Sequence, residues 1–350
     1  MPAYAIYRLP HAEEVVKVSQ EEGEPEQLFS LSELNGREGF VVAPFEITPN
    51  HPLLLIRPDK VESFSLSPSS SSHPSHLSLS PSPSSSYAID FANFHSQLQR
   101  GAFQKIVLSR CADEQLPDGL MPLDLFYRAC ELYPRMFISL VECEKSGIWL
   151  TASPEILLDW NDDCWHTIAL AGTMKLEGEQ LSGEGETVTW STKNIQEQRF
   201  VTTYITECLE QFTGDFREEG PYTARAANLV HLRSDFSFTL PDNDHLGELL
   251  LALHPTPAVC GLPKRDAFNF INRNEHTSRR YYSGFMGPLS LLPSHLSLPG
   301  THLYVSLRCM NIEGRTCHLF AGGGLLKDST EEQEWLETEA KLETMRNLLG

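Results

Sequence analysis

From Tyr87 onward the chain alternates between runs of apolar residues at the two-residue period of strands and runs at the three-to-four-residue period of helices. This patterning predicts helices near 88–100, 123–133, 191–213, 245–253, 264–275 and 331–348. Strands are predicted near 103–111, 136–143, 147–151, 155–160, 165–170, 227–240, 281–289, 301–312 and 315–321. Adjacent strands joined by turns, with helices interspersed irregularly, predict an α+β fold with antiparallel sheets rather than a doubly wound parallel sheet. Residues 1–63 show only short strand-like runs, Phe40 to Phe45 and Leu53 to Ile56, between acidic, turn-rich stretches, and carry no chemical motif. They read as an N-terminal section packing on the main body.

Residues 64–86 are rich in Ser and Pro and hold too little apolar surface to offset ordering, which predicts a flexible loop. PSHLSLS at 74–80 recurs as PSHLSLP at 293–299, between two strand candidates, and both copies read as expanded loops rather than repeats. The remainder, 87–350, is expected to be one catalytic domain.

Composition narrows the function classes. With 350 residues and 41% hydrophobic content the chain can bury a substantial core. It has no run of about 18 apolar residues, and its N-terminus lacks the basic and apolar regions of a secretory signal, so a cytoplasmic location is expected. A net charge of −20 argues against nucleic acid or an anionic membrane as partner, because both require a basic surface. An anionic ligand would need a local cationic pocket. The eight cysteines form no CxxC and no recurring metal-ligand spacing, and read as reduced core residues.

Several residues carry candidate chemistry. Lys105 lies in the apolar run Gln104 to Arg110, where it either snorkels from a strand edge or is buried for use. Glu155, in the turn Ser153-Pro154-Glu155, is either a solvated strand start or a charged group held inside the fold for use. In the 191–213 helix, Glu197 shares a face with Val201, Tyr204, Ile205, Cys208, Leu209 and Phe212, so its carboxylate points inward. Glu334, Glu337 and Lys341 share a face of the last helix beside Trp335, Leu342, Met345 and Leu349. The Glu337 to Lys341 spacing also suits a surface ion pair of a few tenths of a kcal/mol. Gly322, Gly323 and Gly324 are either a flexible turn or a segment allowing close approach of an anion to backbone N–H groups.

The segments QKIVLSR (104–110), SPEILLDW (153–160), HPTPAVCGLPK (254–264) and AGGGL with EEQEWLETEAK (321–325, 331–341) occur in this order. In these the chain resembles the chorismate-utilising enzymes, specifically the isochorismate synthases of menaquinone and siderophore pathways, over roughly residues 88–350. The resemblance implies two large antiparallel sheets layered with helices around a central site. It implies Lys105 as the general base that activates water, where aminating relatives typically have glutamine, and Glu155 as the general acid on the opposite face of the substrate ring. A carboxyl needs a raised pKa for that role.

The segment from Lys193 to Glu197 resembles a KDxxE motif whose glutamate binds Mg²⁺, with Gln198 departing from the commoner histidine or asparagine. Glu334, Glu337 and Lys341 match ExxExxxK, two metal ligands followed by a lysine that meets a substrate carboxylate. Arg308, the Gly322–Gly324 stretch and Gly172-Thr173 are implied to cradle the substrate, with His231 near the leaving hydroxyl. Ala258 falls in HPTPA (254–258), typical of isochorismate synthases, whereas aminating relatives read nearer to PAGTLSGAPK. Glu275, Arg279, Tyr281, Tyr282, Ser283 and Gly284 also match, with roles left open.

The implied activity is Mg²⁺-dependent conversion of chorismate to isochorismate, by attack of water at C2 and loss of the C4 hydroxyl. Salicylate synthase, which then eliminates pyruvate, and a non-catalytic binding protein keeping the fold are the alternatives. Monomeric members are common in the family, and a monomer is the default expectation.

Overall fold

The computed structural model describes residues 3–66, 85–161, 164–175, 188–226, 229–240, 244–291 and 300–350. Most of the Ser/Pro-rich loop and both PSHLSL copies lie outside them. Over the described residues two nine-stranded antiparallel sheets carry the fold. The first runs β14 (Gly261–Leu262), β7 (Lys105–Gln115), β18 (Thr316–Leu325), β17 (Cys309–Glu313), β9 (Gly147–Ser153), β8 (Phe137–Cys143), β1 (Ala3–Arg8), β2 (Glu14–Gln20), β6 (Lys60–Ser65). The second runs β12 (Phe216–Ala226), β13 (Leu229–Phe238), β11 (Cys164–Lys175), β10 (Ile156–Asn161), β16 (Thr301–Val305), β15 (Phe285–Leu289), β4 (Gly39–Ala43), β5 (Leu53–Ile56), β3 (Glu26–Leu28).

The sheets face one another across an apolar layer that includes Val18, Phe40, Val42, Ile56, Phe137, Trp149, Tyr281, Tyr304 and Phe320. Phe137 of the first sheet stacks on Tyr304 of the second, with ring centroids 4.4 Å apart. Helices α3 (Thr192–Leu209) and α4 (Leu246–Leu253) cover the outer face of the second sheet. Helices α2 (Pro122–Leu132) and α6 (Glu331–Leu349) cover the first, and α1 (Ser85–Gln99) and α5 (Lys264–Asn274) close its β7 edge. Ser191 caps α3 by accepting the Asn194 N–H at 3.2 Å, and Glu331, Glu332 and Glu334 in the first turn of α6 complement its dipole. No helix among the described residues is long and apolar enough to cross a membrane.

The stretch 301–312, expected as one strand, is two strands in different sheets. β16 belongs to the second sheet and β17 to the first, and between them Arg308 takes a positive φ of 46°. Its neighbour crosses in the same way, because β9 ends in the first sheet at Ser153 and β10 begins in the second at Ile156. The two crossings are bonded together: Ala152 N donates to Arg308 O (3.0 Å), Val305 N to Glu155 O (3.0 Å) and Ser153 Oγ to Val305 O (2.6 Å). Apolar periodicity continues through both corners, so it does not reveal the change of sheet.

β12 was also absent from the sequence pattern. Most of its side chains are exposed and polar, so it carries no apolar alternation and is held by backbone pairing to β13. Residues 3–65 supply three strands to each sheet.

Candidate active site

The crossings set Glu155 and Arg308 side by side at one end of the interface between the sheets. They line a cleft with Val107 of β7, Leu170 to Thr173 of β11, Glu197 of α3, His231 of β13, Ala258, Tyr282, Gly322 and Gly324 of β18, and Lys341 of α6.

Glu155 is 2% exposed. Burial pushes its carboxyl up to about 7, against the opposing pull of Lys105, the Thr256 hydroxyl, Arg308 and Lys341. Thr256 Oγ1 donates to Glu155 Oε1 at 3.3 Å. Lys105 is fully buried, and its Nζ lies 2.8 Å from Glu197 Oε1 in a charge contact that is not aligned as a hydrogen bond. The strand-edge snorkelling alternative for this lysine is therefore set aside.

Arg308 donates from Nη2 to His231 Nε2 (2.8 Å), while its buried Nε has no hydrogen-bond partner. An unpaired buried guanidinium donor facing a cleft suits an incoming carboxylate. Burial, then the charges of Arg308 and Lys341, lower the His231 pKa far enough to keep the ring neutral. Accepting at Nε2 fixes its tautomer, so Nδ1–H donates to Gly172 O at 2.9 Å.

The glycines are strand residues, not a turn. Gly322, Gly323 and Gly324 pair with Ser109, Leu108 and Val107 of β7. Pairing of β18 with β17 ends at Cys309, where that chain leaves for the other sheet, so their second edge faces the cleft. A Cβ on Gly324 would lie 2.1 Å from Glu197 Oε1, and one on Gly322 2.7 Å from Tyr282 Oη. Gly172 needs its φ of 71° at a bulge in β11. Gln198 holds that bulge, accepting from Ala171 N (3.0 Å) and donating to Ala169 O (3.1 Å), so the sequence's departure from the commoner residue has a bracing role.

Three carboxylates lie on α3 and α6, and of these Glu197 lines the cleft. Glu334 is fully buried, accepts from Lys193 Nζ at 2.5 Å, and leaves Oε2 without a partner. Glu337 accepts from Lys341 Nζ at 2.7 Å, and Lys341 also donates to Gly322 O at 2.8 Å. Burial and the charge of Glu337 raise the Glu334 pKa, whereas Lys341 and Lys193 outweigh burial and keep Glu337 low. Burial would lower the Lys193 pKa, but the charges of Glu337, Glu334 and Glu197 raise it. Each of the three carboxylates contacts a different lysine, Glu197 with Lys105, Glu334 with Lys193 and Glu337 with Lys341, and Glu334 Oε2 remains orphaned. This all-oxygen, anionic donor set fits a hard dication.

The residues with open roles brace the site. Glu275 accepts from Ser109 N (2.7 Å), and Arg279 donates to Glu275 and to the backbone oxygens of Val259 (2.7 Å) and Val107 (2.8 Å), tying β7 to the 254–261 segment. Thr256, Lys193 and Tyr282 had been left without a role in the sequence analysis. Each lies inside a matched segment, which was the available signal.

This geometry can be set against known proteins. The sequence model of a family described as "Chorismate binding enzyme" matches residues 55–350. The chain belongs to this chorismate-binding enzyme family. It is 30% identical to the isochorismate synthase MenF of Escherichia coli (strain K12) over 72% of this chain and 57% of that protein. It is 32% identical to the salicylate biosynthesis isochorismate synthase of Pseudomonas aeruginosa over 73% of this chain and 52% of that protein. The match therefore spans little more than half the length of these relatives. In fold, the chorismate-binding chain superposes on the structure of the menaquinone-specific isochorismate synthase MenF of Escherichia coli with a TM-score of 0.78. That superposition covers 100% of this chain and 89% of MenF at 23% identity.

Proposed function

We propose that this chorismate-binding enzyme is an isochorismate synthase, adding water at C2 of chorismate and expelling the C4 hydroxyl with an allylic shift of the double bond. The observation that carries this reading is a cleft-lining carboxyl raised to about 7, Glu155, that feels the charge of a fully buried lysine, Lys105, in contact with the cleft-lining Glu197. The names of the curated relatives support the same reaction.

Arg308, with its unpaired Nε, and Lys341 bind substrate carboxylates, helped by the open edge of Gly322–Gly324. Neutral His231 holds Arg308 in place and stands beside Thr173 and Ala258 in the cleft wall. Lys105 takes a proton from the entering water while Glu155 gives one to the departing hydroxyl. The turnover leaves an ammonium and a carboxylate that exchange their proton back through solvent. Glu197, Glu334 and Glu337 would hold Mg²⁺, which when bound neutralises and orients the substrate's ring carboxylate. All eight cysteines are free, as suits the reducing cytoplasm in which we place the enzyme.

The test supplies chorismate, Mg²⁺ and abundant ammonium at mildly alkaline pH and identifies the product. Isochorismate without anthranilate is expected. Salicylate with pyruvate would make the enzyme a salicylate synthase, and anthranilate would refute water as the nucleophile.

A further inference from the structure

At the end of β7 and β18 remote from Lys105, three side chains with metal-binding atoms converge outside the chorismate cleft. Cys111 and Asp113 are two apart on β7 and therefore share a face. His318 of β18 is paired in register with Asp113. Sγ of Cys111, a carboxylate oxygen of Asp113 and a ring nitrogen of His318 all lie within 4.8 Å of one another. Cys111 Sγ is 3.8 Å, and His318 Nδ1 2.7 Å, from the same oxygen, Asp113 Oδ1. The 3.8 Å separation matches that between ligands on a tetrahedral ion with bonds of about 2.0–2.3 Å, whereas the 2.7 Å one is a direct His318–Asp113 pair that must open to admit the ion. A small rotation of the exposed Asp113 side chain would open the needed space.

Two further observations favour a bound ion over a simple polar cluster. His318 turns its other nitrogen, Nε2, toward Glu313 Oε2 at 3.7 Å. At that distance the two are in charge contact rather than hydrogen-bonded, and a nearby outer carboxylate is a common neighbour of a metal-bound histidine. Arg280 in turn donates to Glu313 and to Asn311 Oδ1, which anchors that carboxylate. The site is also reachable, because the Asp113 side chain is 64% exposed while Cys111 is half-buried on a rigid paired strand. One coordination position would remain open to water.

We propose that Cys111, Asp113 and His318 form a second cation site, for Zn²⁺ or a similarly thiophilic divalent ion, clamping β7 to β18. The donor chemistry separates it from the glutamate set of α3 and α6: one thiolate and one imidazole select Zn²⁺ over Mg²⁺, whereas three carboxylates suit Mg²⁺. Binding replaces the Cys111 S–H bond with a sulfur–metal bond and releases one proton to solvent. The ion changes no oxidation state.

Metal-stripped full-length enzyme titrated with Co²⁺ should show a sulfur-to-cobalt charge-transfer band saturating at one ion per chain, displaced by Zn²⁺ and unaffected by excess Mg²⁺. Zn²⁺ should raise the melting temperature at equimolar concentration. Cys111→Ser and His318→Gln should each abolish the band and the melting shift while leaving chorismate turnover with Mg²⁺ unchanged. A Glu197→Gln variant should keep both. The proposal is overturned if no band appears, if it survives in either site variant, or if it is lost in Glu197→Gln.

Discussion

Gly324→Ala isolates the contact between the glycine strand and the charged pair behind it. Gly324 has no positive φ, so alanine brings no backbone strain and the added methyl group is the whole perturbation. That Cβ would lie 2.1 Å from Glu197 Oε1, 2.9 Å from Glu197 Cδ and 2.9 Å from Lys105 Cε. To restore contacts of about 3.5 Å, the Glu197 oxygen must retreat by roughly 1.4 Å and Lys105 must shift with it. Overpacking of this kind costs about 1–3 kcal/mol. Misplacing a reacting group by about 1 Å can lower the rate by about 10²-fold. We expect kcat/KM for chorismate to fall by about that factor while the protein melts only several degrees lower. Gly214→Ala, whose Cβ meets nothing within 4 Å, is the matched control. Product formation followed by chromatography, beside a thermal melt, reads both effects. Wild-type kcat/KM in a folded Gly324→Ala variant would refute the argument that the glycine exists to let Glu197 and Lys105 approach the strand.

Three other outcomes follow from the same geometry. Because Glu155 must be protonated to act as the acid, and burial raises it to about 7, kcat/KM should fall about tenfold per pH unit above that value. Glu155→Gln should retain chorismate affinity by calorimetry, lose turnover and remove that limb from any residual activity; loss of affinity with the rate retained would make Glu155 a binding residue. Glu197→Ala and Glu337→Ala should each raise the Mg²⁺ concentration giving half-maximal activity, and chelation should silence the wild type reversibly. Activity surviving exhaustive chelation would dismiss the proposed metal role of these carboxylates.

Much of the site was legible because its residues sit in segments with strong local order. The period of α3 turned Glu197 inward with Val201 and Ile205, and the structure buries all three. The spacing of Glu334, Glu337 and Lys341 likewise placed them together, yet left a surface ion pair open, because spacing gives a helix face and not what covers it. The tertiary structure sets the Glu337–Lys341 pair against Gly322 of a remote strand. Gln198 read as a weakened match, and its support of the β11 bulge appears only when α3 packs on that strand.

The sequence by itself determined the element types over most of the chain and the apolar faces of α3 and α6, since these follow from periodicity within a few residues. Only the tertiary structure decided that 301–312 breaks at Arg308 to change sheets, that Glu155 stands beside it, and that Cys111 and Asp113 meet His318. It also decided the acidity of Glu155. A carboxyl's pKa is set by the solvent it loses and the charges it faces, and those are supplied by Lys105, Thr256, Arg308 and Lys341, which converge from distant parts of the chain only when both sheets have formed.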